Sequence, residues 1–332
     1  MPFDDIIGNV RVKNILRRSL LRGRVPGSLL FYGPKGVGKS EMALIFAKAL
    51  NCLNRDDDSC EDCSSCSAVN KNVFPDVLRI NAEKDIIRID QIRLIKRAAY
   101  LRPMTGKKRV FIIEEAEKMN DEASNSLLKV LEEPPVFSHI ILTTDNFFSI
   151  LPTVRSRCQT LKFAPVSRND IQKALIEKRI EEGKAKTISL LVKGSLKQAL
   201  EFDWDEAEDK RKKAFNMFSS FVKGGERANI FKKYSRMQKK NFEENINPVL
   251  EVLASFCRDM IVMKMGSDDR FLINLDYKHK LSELEEILDL KQTYGFLGVI
   301  EESLRLFQQN ANRRAIMNSM AINLMDMDKE NV

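Results

Sequence analysis

The sequence predicts an α/β module, a parallel sheet with helices on both faces, followed by an all-helical region. Three observations lead there. Short apolar runs alternate with stretches of helical spacing through Cys158, the order that builds parallel strands joined by crossover helices. One of those runs passes through a glycine-rich turn straight into an amphipathic stretch. Beyond Trp204 the text changes to charged segments of helical spacing without glycine-rich turns. A chain of 332 residues with 43% hydrophobic residues can bury a large core and has room for two or three domains. The expected divisions are 1–163, 164–205 and 206–332. A net charge of +8 suits a phosphate-rich partner but does not establish one. No apolar run approaches a membrane span, and the start MPFDDIIGNV lacks the basic and apolar regions of a signal peptide. A cytoplasmic location without membrane contact is therefore expected.

The first element is the stretch SLLFYGPKGVGKSEMALIFAKAL. It reads as a strand from Ser28 to Tyr32, a glycine turn, and a helix beginning near Lys39. All fixed positions of G-x-x-x-x-G-K-[ST], the P-loop pattern, are present. Gly33, Gly36 and Gly38 let the backbone curl until its amides and the helix N-terminus face phosphate oxygens. Lys39 would reach the β and γ phosphates and Ser40 would hold Mg²⁺, so ATP or ADP with Mg²⁺ is the expected ligand. A glycine-rich turn without ligand is the alternative; the flanking strand and helix favour nucleotide. Binding does not by itself establish hydrolysis.

Four of the six cysteines follow that helix: Cys52, Cys60, Cys63 and Cys66, spaced C-x7-C-x2-C-x2-C. Two tight steps can bring sulfurs to tetrahedral distance, and four thiolates close the coordination shell. A structural Zn²⁺ pinning the insertion 52–66 is expected, with a C-x-x-C redox pair or unligated thiols as the alternatives. Asp56, Asp57 and Asp58 read as a solvated loop. Cys158 and Cys257 stand apart in sequence and read as packing residues.

Next, KKRVFIIEEAEKM gives a strand at Val110 to Ile113 ending in Glu114 and Glu115. Acids at the carboxyl end of a strand beside a P-loop can hold the metal's waters and polarise an attacking water, as in a Walker B element. A solvated strand end is the plainer reading. In NDEASNSLLKVLEEPP, Leu127, Leu128 and Leu131 have helical spacing, and Pro134 and Pro135 stop the helix. HIILTTD is a further strand, followed by the loop NFFSILPTVRSRC.

The P-loop helix ending in KALNC, the four-cysteine insertion, the run NSLLKVLEEPP and the run SRC at Ser156 to Cys158 together resemble the clamp-loader AAA+ subunits of bacterial DNA polymerase III. The start FDDIIGN, the phrase FPDVLRINAEKDIIRIDQIR and the strand end IIEEAEKM are most similar to the delta-prime branch. The likeness is strong to about residue 205 and weaker beyond.

That resemblance implies an AAA+ module, a helical lid at 164–205 and a helical collar at 206–332 that joins subunits into a ring. It implies gamma/tau and delta subunits as partners, and through the assembly a sliding clamp and primer–template DNA. Arg157 would be an arginine finger acting in trans on a neighbour's ATP, and Thr144 takes the sensor 1 position, with strand-end capping as the alternative. Lys197, in GSLKQAL, takes the sensor 2 position where family ATPases usually have arginine; it keeps the charge but loses the planar fork. An ordinary exposed lysine fits that position equally. Glu114 replaces the usual aspartate of the Walker B pair, and Glu115 takes the water-activating position. The implied role is a stator with doubtful ATPase activity of its own. A gamma-type motor subunit is the alternative, disfavoured by the end of the chain at Val332; a free-standing P-loop ATPase or kinase has no acceptor-binding motif to support it. In the collar, Leu297, Ile300, Leu304 and Phe307 form an apolar stripe, and FKKYSRMQKK at Phe231 to Lys240 is a basic run.

Overall fold

Apolar runs covered on both sides become the middle of a parallel sheet, and three do so here. In the computed structural model, which describes residues 1–83, 85–223, 239–308 and 312–326, β1 (Ser28–Tyr32), β3 (Arg109–Ile113) and β4 (Ser138–Thr144) are buried along their length, apart from half-buried Tyr32. Short strands β2 (Val77–Ile80) and β5 (Gln159–Lys162) flank them in the order β2-β3-β4-β1-β5, all pairings parallel. Neither edge strand carries an apolar run, since β5 buries only Leu161 and β2 has no fully buried residue. Periodicity gives no strand signal at either edge.

Successive side chains of a strand point to opposite faces, so each strand feeds two cores. Leu29, Phe31, Val110, Ile112 and Ile141 pack with α1 (Val10–Leu21) and α2 (Lys39–Asn51). Leu30, Phe111, Ile113, Ile140 and Leu142 pack on the other face with α4 (Ile89–Ala99) and α5 (Asp121–Glu132). The short helix α3 (Ser64–Asn70) follows the cysteines. Asn120 caps α5 by accepting the Ala123 N–H at 2.9 Å, and Leu127 and Leu131 turn inward from it. The short helix α6 (Pro152–Arg155) precedes β5.

The chain divides into a unit of Met1–Glu201 and a unit of Phe202–Val332. The first ends in α7 (Arg168–Glu177), α8 (Glu182–Leu191) and α9 (Leu196–Leu200). Periodicity predicts two helices there; α9 is one turn long and has no period to read.

Every regular element described in the second unit is helical: α10 (Trp204–Val222), α11 (Lys239–Lys264), α12 (Lys278–Glu285), α13 (Leu290–Gln308) and α14 (Arg313–Asp326), with short 3-10 turns. Ile300 and Phe307 are buried in its core, and Leu297 and Leu304 pack partly against it, so the apolar stripe serves this unit's interior. Arg211 is buried beside it, bonded to Asp276 at 2.6 and 2.7 Å and stacked 4.7 Å from the Tyr277 ring centre. Of the basic run FKKYSRMQKK, residues 231–238 lie outside the described residues. Among the described residues no helix is long and apolar enough to cross a membrane.

Candidate nucleotide site and metal centre

β1 delivers the glycine loop to the N-terminus of α2. At Gly33 (φ +151°) a Cβ would lie 2.3 Å from the Phe163 carbonyl oxygen, and at Gly36 (φ +76°) it would lie 2.1 Å from Ser195 Oγ. At Gly33 the clash is with backbone, and at Gly36 the left-handed φ disfavours any side chain. Gly38 is the N-cap of α2, which opens with Lys39 and half-buried Ser40. Lys39 is 6% exposed. Its Nζ donates to the carbonyls of Gly33 and Pro34, both at 2.7 Å, and to Asp145 Oδ1 at 2.6 Å. An ammonium has three N–H bonds, and all three are used. A glycine cradle closed to side chains, a helix N-terminus and a buried ammonium suit an oligophosphate. Lys39, Ser40 and the loop amides are the groups that would hold Mg²⁺–nucleotide.

The two acids ending β3 are both engaged elsewhere. Arg79 lies in register with Ile112, so Arg79 and Glu114 share the face of the sheet that carries α2. Arg79 Nη2 and Nε donate to Glu114 Oε1 at 2.5 and 2.9 Å. Glu115 sits in the left-handed region at φ 50°, where its carboxylate meets Lys118 Nζ at 2.8 Å. Lys118 also bonds Asp85 at 2.8 Å, and the bonds to Asp85 and Glu115 raise its pKa.

β4 ends level with the phosphate loop. Thr144 stands opposite Tyr32, and the Gly33 N–H donates to the Thr144 carbonyl at 3.3 Å. The buried Thr144 hydroxyl donates to the Asn146 carbonyl at 3.0 Å and accepts the Asn146 N–H at 3.1 Å, which caps the strand. Asp145 lies between them. On the opposite flank of the loop, the Lys197 N–H at the start of α9 donates to the Gly36 carbonyl at 3.2 Å, while its side chain is exposed. α9 thus touches the loop through backbone, and the Lys197 side chain is exposed.

Arg157 follows α6 on the S-R-C turn. Its Nη1 donates to the Thr153 carbonyl at 3.0 Å and its Nε lies 3.3 Å from exposed Glu132. The neighbouring Cys158 is buried, and burial pushes its thiol up to about 12. Cys257 is buried in the second unit's core.

The four clustered cysteines converge. Their Sγ atoms all lie within 4.8 Å of one another; tetrahedral Zn–S bonds of about 2.3 Å require sulfurs about 3.8 Å apart. The Cys63 N–H donates to Cys60 Sγ at 3.3 Å and the Cys66 N–H to Cys63 Sγ at 3.4 Å. Burial pushes the Cys63 thiol up, yet the amides of Leu53 and Cys66 and the adjoining thiols outweigh it and hold that thiol low; burial drives Cys66 the other way. The donor set and spacing fit a closed Zn²⁺ site. The cluster can hold a metal.

Around it the solvated-loop reading of the aspartates fails at Asp58. That carboxylate is fully buried, accepts the N–H of Phe3 at 3.1 Å and of Ser59 at 2.7 Å, and pairs with Arg17 at 3.0 Å. The insertion folds back on the chain start and needs an acceptor there. Lys48, 2% exposed, reaches Glu61 at 2.6 Å and Asn70 at 3.0 Å. Lys107 Nζ donates to the Cys52 carbonyl at 2.6 Å.

Asp145, Arg79, Lys118, Asp58 and Lys48 carry these sites and have no motif to announce them. The acid directly after Thr144, at the carboxyl end of a strand, is the one signal that sequence offered for Asp145.

A family model described as DNA polymerase III, delta subunit, matches residues 8–167. The chain is 26% identical over 317 residues to DNA polymerase III subunit delta' of Bacillus subtilis, covering 95% of this chain and 96% of that one. It is 35% identical over 204 residues to DNA polymerase III subunit gamma/tau of Mycoplasma pneumoniae, covering 60% of this chain but only 30% of that one. A solved structure of a DNA polymerase III gamma subunit-related protein from Thermotoga maritima aligns at 17% identity with a TM-score of 0.39, covering 96% of this chain and 99% of that one. By its P-loop motif and its sequence relatives, the chain is similar to the clamp-loader subunits of bacterial DNA polymerase III, close to the delta-prime and gamma/tau types.

Proposed function

We propose that this chain is a delta-prime-type stator. It binds nucleotide, turns it over poorly, and lends Arg157 to the ATP site of a neighbouring motor subunit while the assembly places a sliding clamp on primed DNA in the cytoplasm. The observation that carries this reading is the pairing of both β3 acids, Glu114 with Arg79 and Glu115 with Lys118. Carboxylates paired within their own chain are less free to order metal-bound waters or to activate a water. Arg157 is held by a surface pair: its side chain is 30% exposed and its carboxylate partner Glu132 is 58% exposed. Such a pair is worth at most about 1 kcal/mol, so the guanidinium is free to turn outward and neutralise charge on a transferring phosphoryl group. Zn²⁺ at Cys52, Cys60, Cys63 and Cys66 would be structural, because four thiolates leave no position for water or substrate.

A gamma-type motor is the second reading. The complete P-loop and the 35% identity to a gamma/tau subunit favour it. Titration with a fluorescent ATP analogue, alongside phosphate release by the chain alone, puts the motor reading to the test. The stator reading expects binding that Lys39→Ala abolishes, with turnover near background; vigorous turnover removed by Lys39→Ala would establish the motor instead.

A further inference from the structure

We propose that Asp145 is a built-in competitor of the nucleotide's phosphates, an internal anion that occupies Lys39 and sets the affinity of the P-loop. The inference rests on the nucleotide-site reading above and concerns a residue to which that reading gives no role. Lys39 uses all three of its N–H bonds in the chain itself, on two neutral carbonyls and one carboxylate. A phosphate oxygen can approach only by displacing one of them. The carbonyls of Gly33 and Pro34 belong to the loop that surrounds the phosphates, whereas Asp145 comes from the neighbouring strand. It is also the one charged acceptor, so it both holds the ammonium and repels an arriving phosphate.

Its position is fixed by the sheet. Residue 145 directly follows the Thr144–Tyr32 register pair, and the Gly33 N–H is bonded to the Thr144 carbonyl. The Asp145 N–H donates to Glu117 Oε1 at 3.3 Å, and the next residue is capped by the Thr144 hydroxyl. The backbone therefore holds the carboxylate against the loop, and only the side chain can yield. Asp145 is 34% exposed against 6% for Lys39, so once displaced it has solvent to turn into. Binding is then an exchange of one anion for another on Lys39, and apparent affinity falls by the fraction of molecules in which Lys39 is held by Asp145.

Removing the charge should tighten binding of ligands whose phosphates reach Lys39. With mant-ADP and Mg²⁺ as the probe and the full chain as the protein, Asp145→Asn should lower Kd by about two- to fivefold. Asp145→Glu, which keeps the anion, should stay near wild type. With mant-AMP, which lacks the distal phosphates, Asp145→Asn should change little; a merely structural role would move both probes alike. Asp145→Ser repeats the test with a smaller side chain should the asparagine variant fold poorly by circular dichroism. If wild type binds mant-ADP in a Lys39-dependent manner and the neutral variants bind equally or more weakly, the competitor role is overturned and the nucleotide site stands. If neither wild type nor the variants bind mant-ADP, the nucleotide reading falls and takes this role with it.

Discussion

The phosphate loop and the cysteine cluster sit at opposite ends of one helix and are held in opposite ways. Lys39 opens α2 and Cys52 caps its other end. At the cysteine end the four sulfurs already lie within 4.8 Å of one another, with Lys107 on the Cys52 carbonyl and the Lys48–Glu61 pair beside them. At the phosphate end three charged groups are held by opposite charges of the same chain: Lys39 by Asp145, Glu114 by Arg79, Glu115 by Lys118. One end is assembled ahead of its ligand; the other must exchange partners to bind. A ligand at the first adds stability, and a ligand at the second must compete.

The largest effect should come from breaking the assembled end. A structural Zn²⁺ binds with an apparent free energy on the order of 10 kcal/mol, and if only a third of it appears as folding energy, Cys63→Ser lowers the thermal midpoint by about 10 °C. Calorimetry with metal analysis checks this; metal-free protein of undiminished stability would erase the contrast between the two ends.

Next comes the loop that braces the cluster. Buried Asp76 accepts the N–H of Met104, Thr105 and Gly106 at 2.8 to 2.9 Å and pairs with Arg109 at 2.8 Å, directly before the lysine that bonds Cys52. Asp76→Ala should cost about 3 kcal/mol, because it strands a buried guanidinium. Burial pushes the Asp76 carboxyl up, but the three amides and Arg109 outweigh it and hold it down to about 2. A folded pKa below the unfolded value of about 3.8 contributes stability in full above about pH 4 and loses it as pH falls toward 2. Urea midpoints measured between pH 6 and pH 2 should fall more steeply for wild type than for Asp76→Ala.

How far these ends were legible in sequence differs for a physical reason. Cys52, Cys60, Cys63 and Cys66 are all within fifteen residues by their numbering, and spacing alone brings them together. The P-loop, β1, β3 and β4 are likewise local patterns, covered on both faces and therefore written as apolar runs. Pairings such as Lys39–Asp145 and Arg79–Glu114 span 106 and 35 residues. They exist only because β4 lies beside β1 and β2 beside β3. Asp58 escaped for the same reason, its partners being Phe3 and Arg17. β2 and β5 escaped because sheet edges are half solvated and need no apolar run.

The smallest effect should fall on Thr144. Its hydroxyl is spent on Asn146, so Thr144→Val should cost about 1 kcal/mol of stability from the lost cap and leave nucleotide affinity unchanged. A large loss of affinity with stability intact would instead give Thr144 a direct part in ligand contact.

On the stator reading, this chain contributes to chemistry through Arg157 and little through its own site. The most direct test of that reading is DNA-stimulated ATP turnover of the loader reconstituted from this chain with its motor and clamp-opening partners, comparing Arg157→Ala with Lys39→Ala. Loss of such a finger slows the site it serves by about 10³-fold or more, so Arg157→Ala should remove one neighbour's share of the turnover, while Lys39→Ala leaves the assembly's rate nearly unchanged. The reverse result, with Lys39→Ala crippling the assembly and Arg157→Ala harmless, would contradict the stator account.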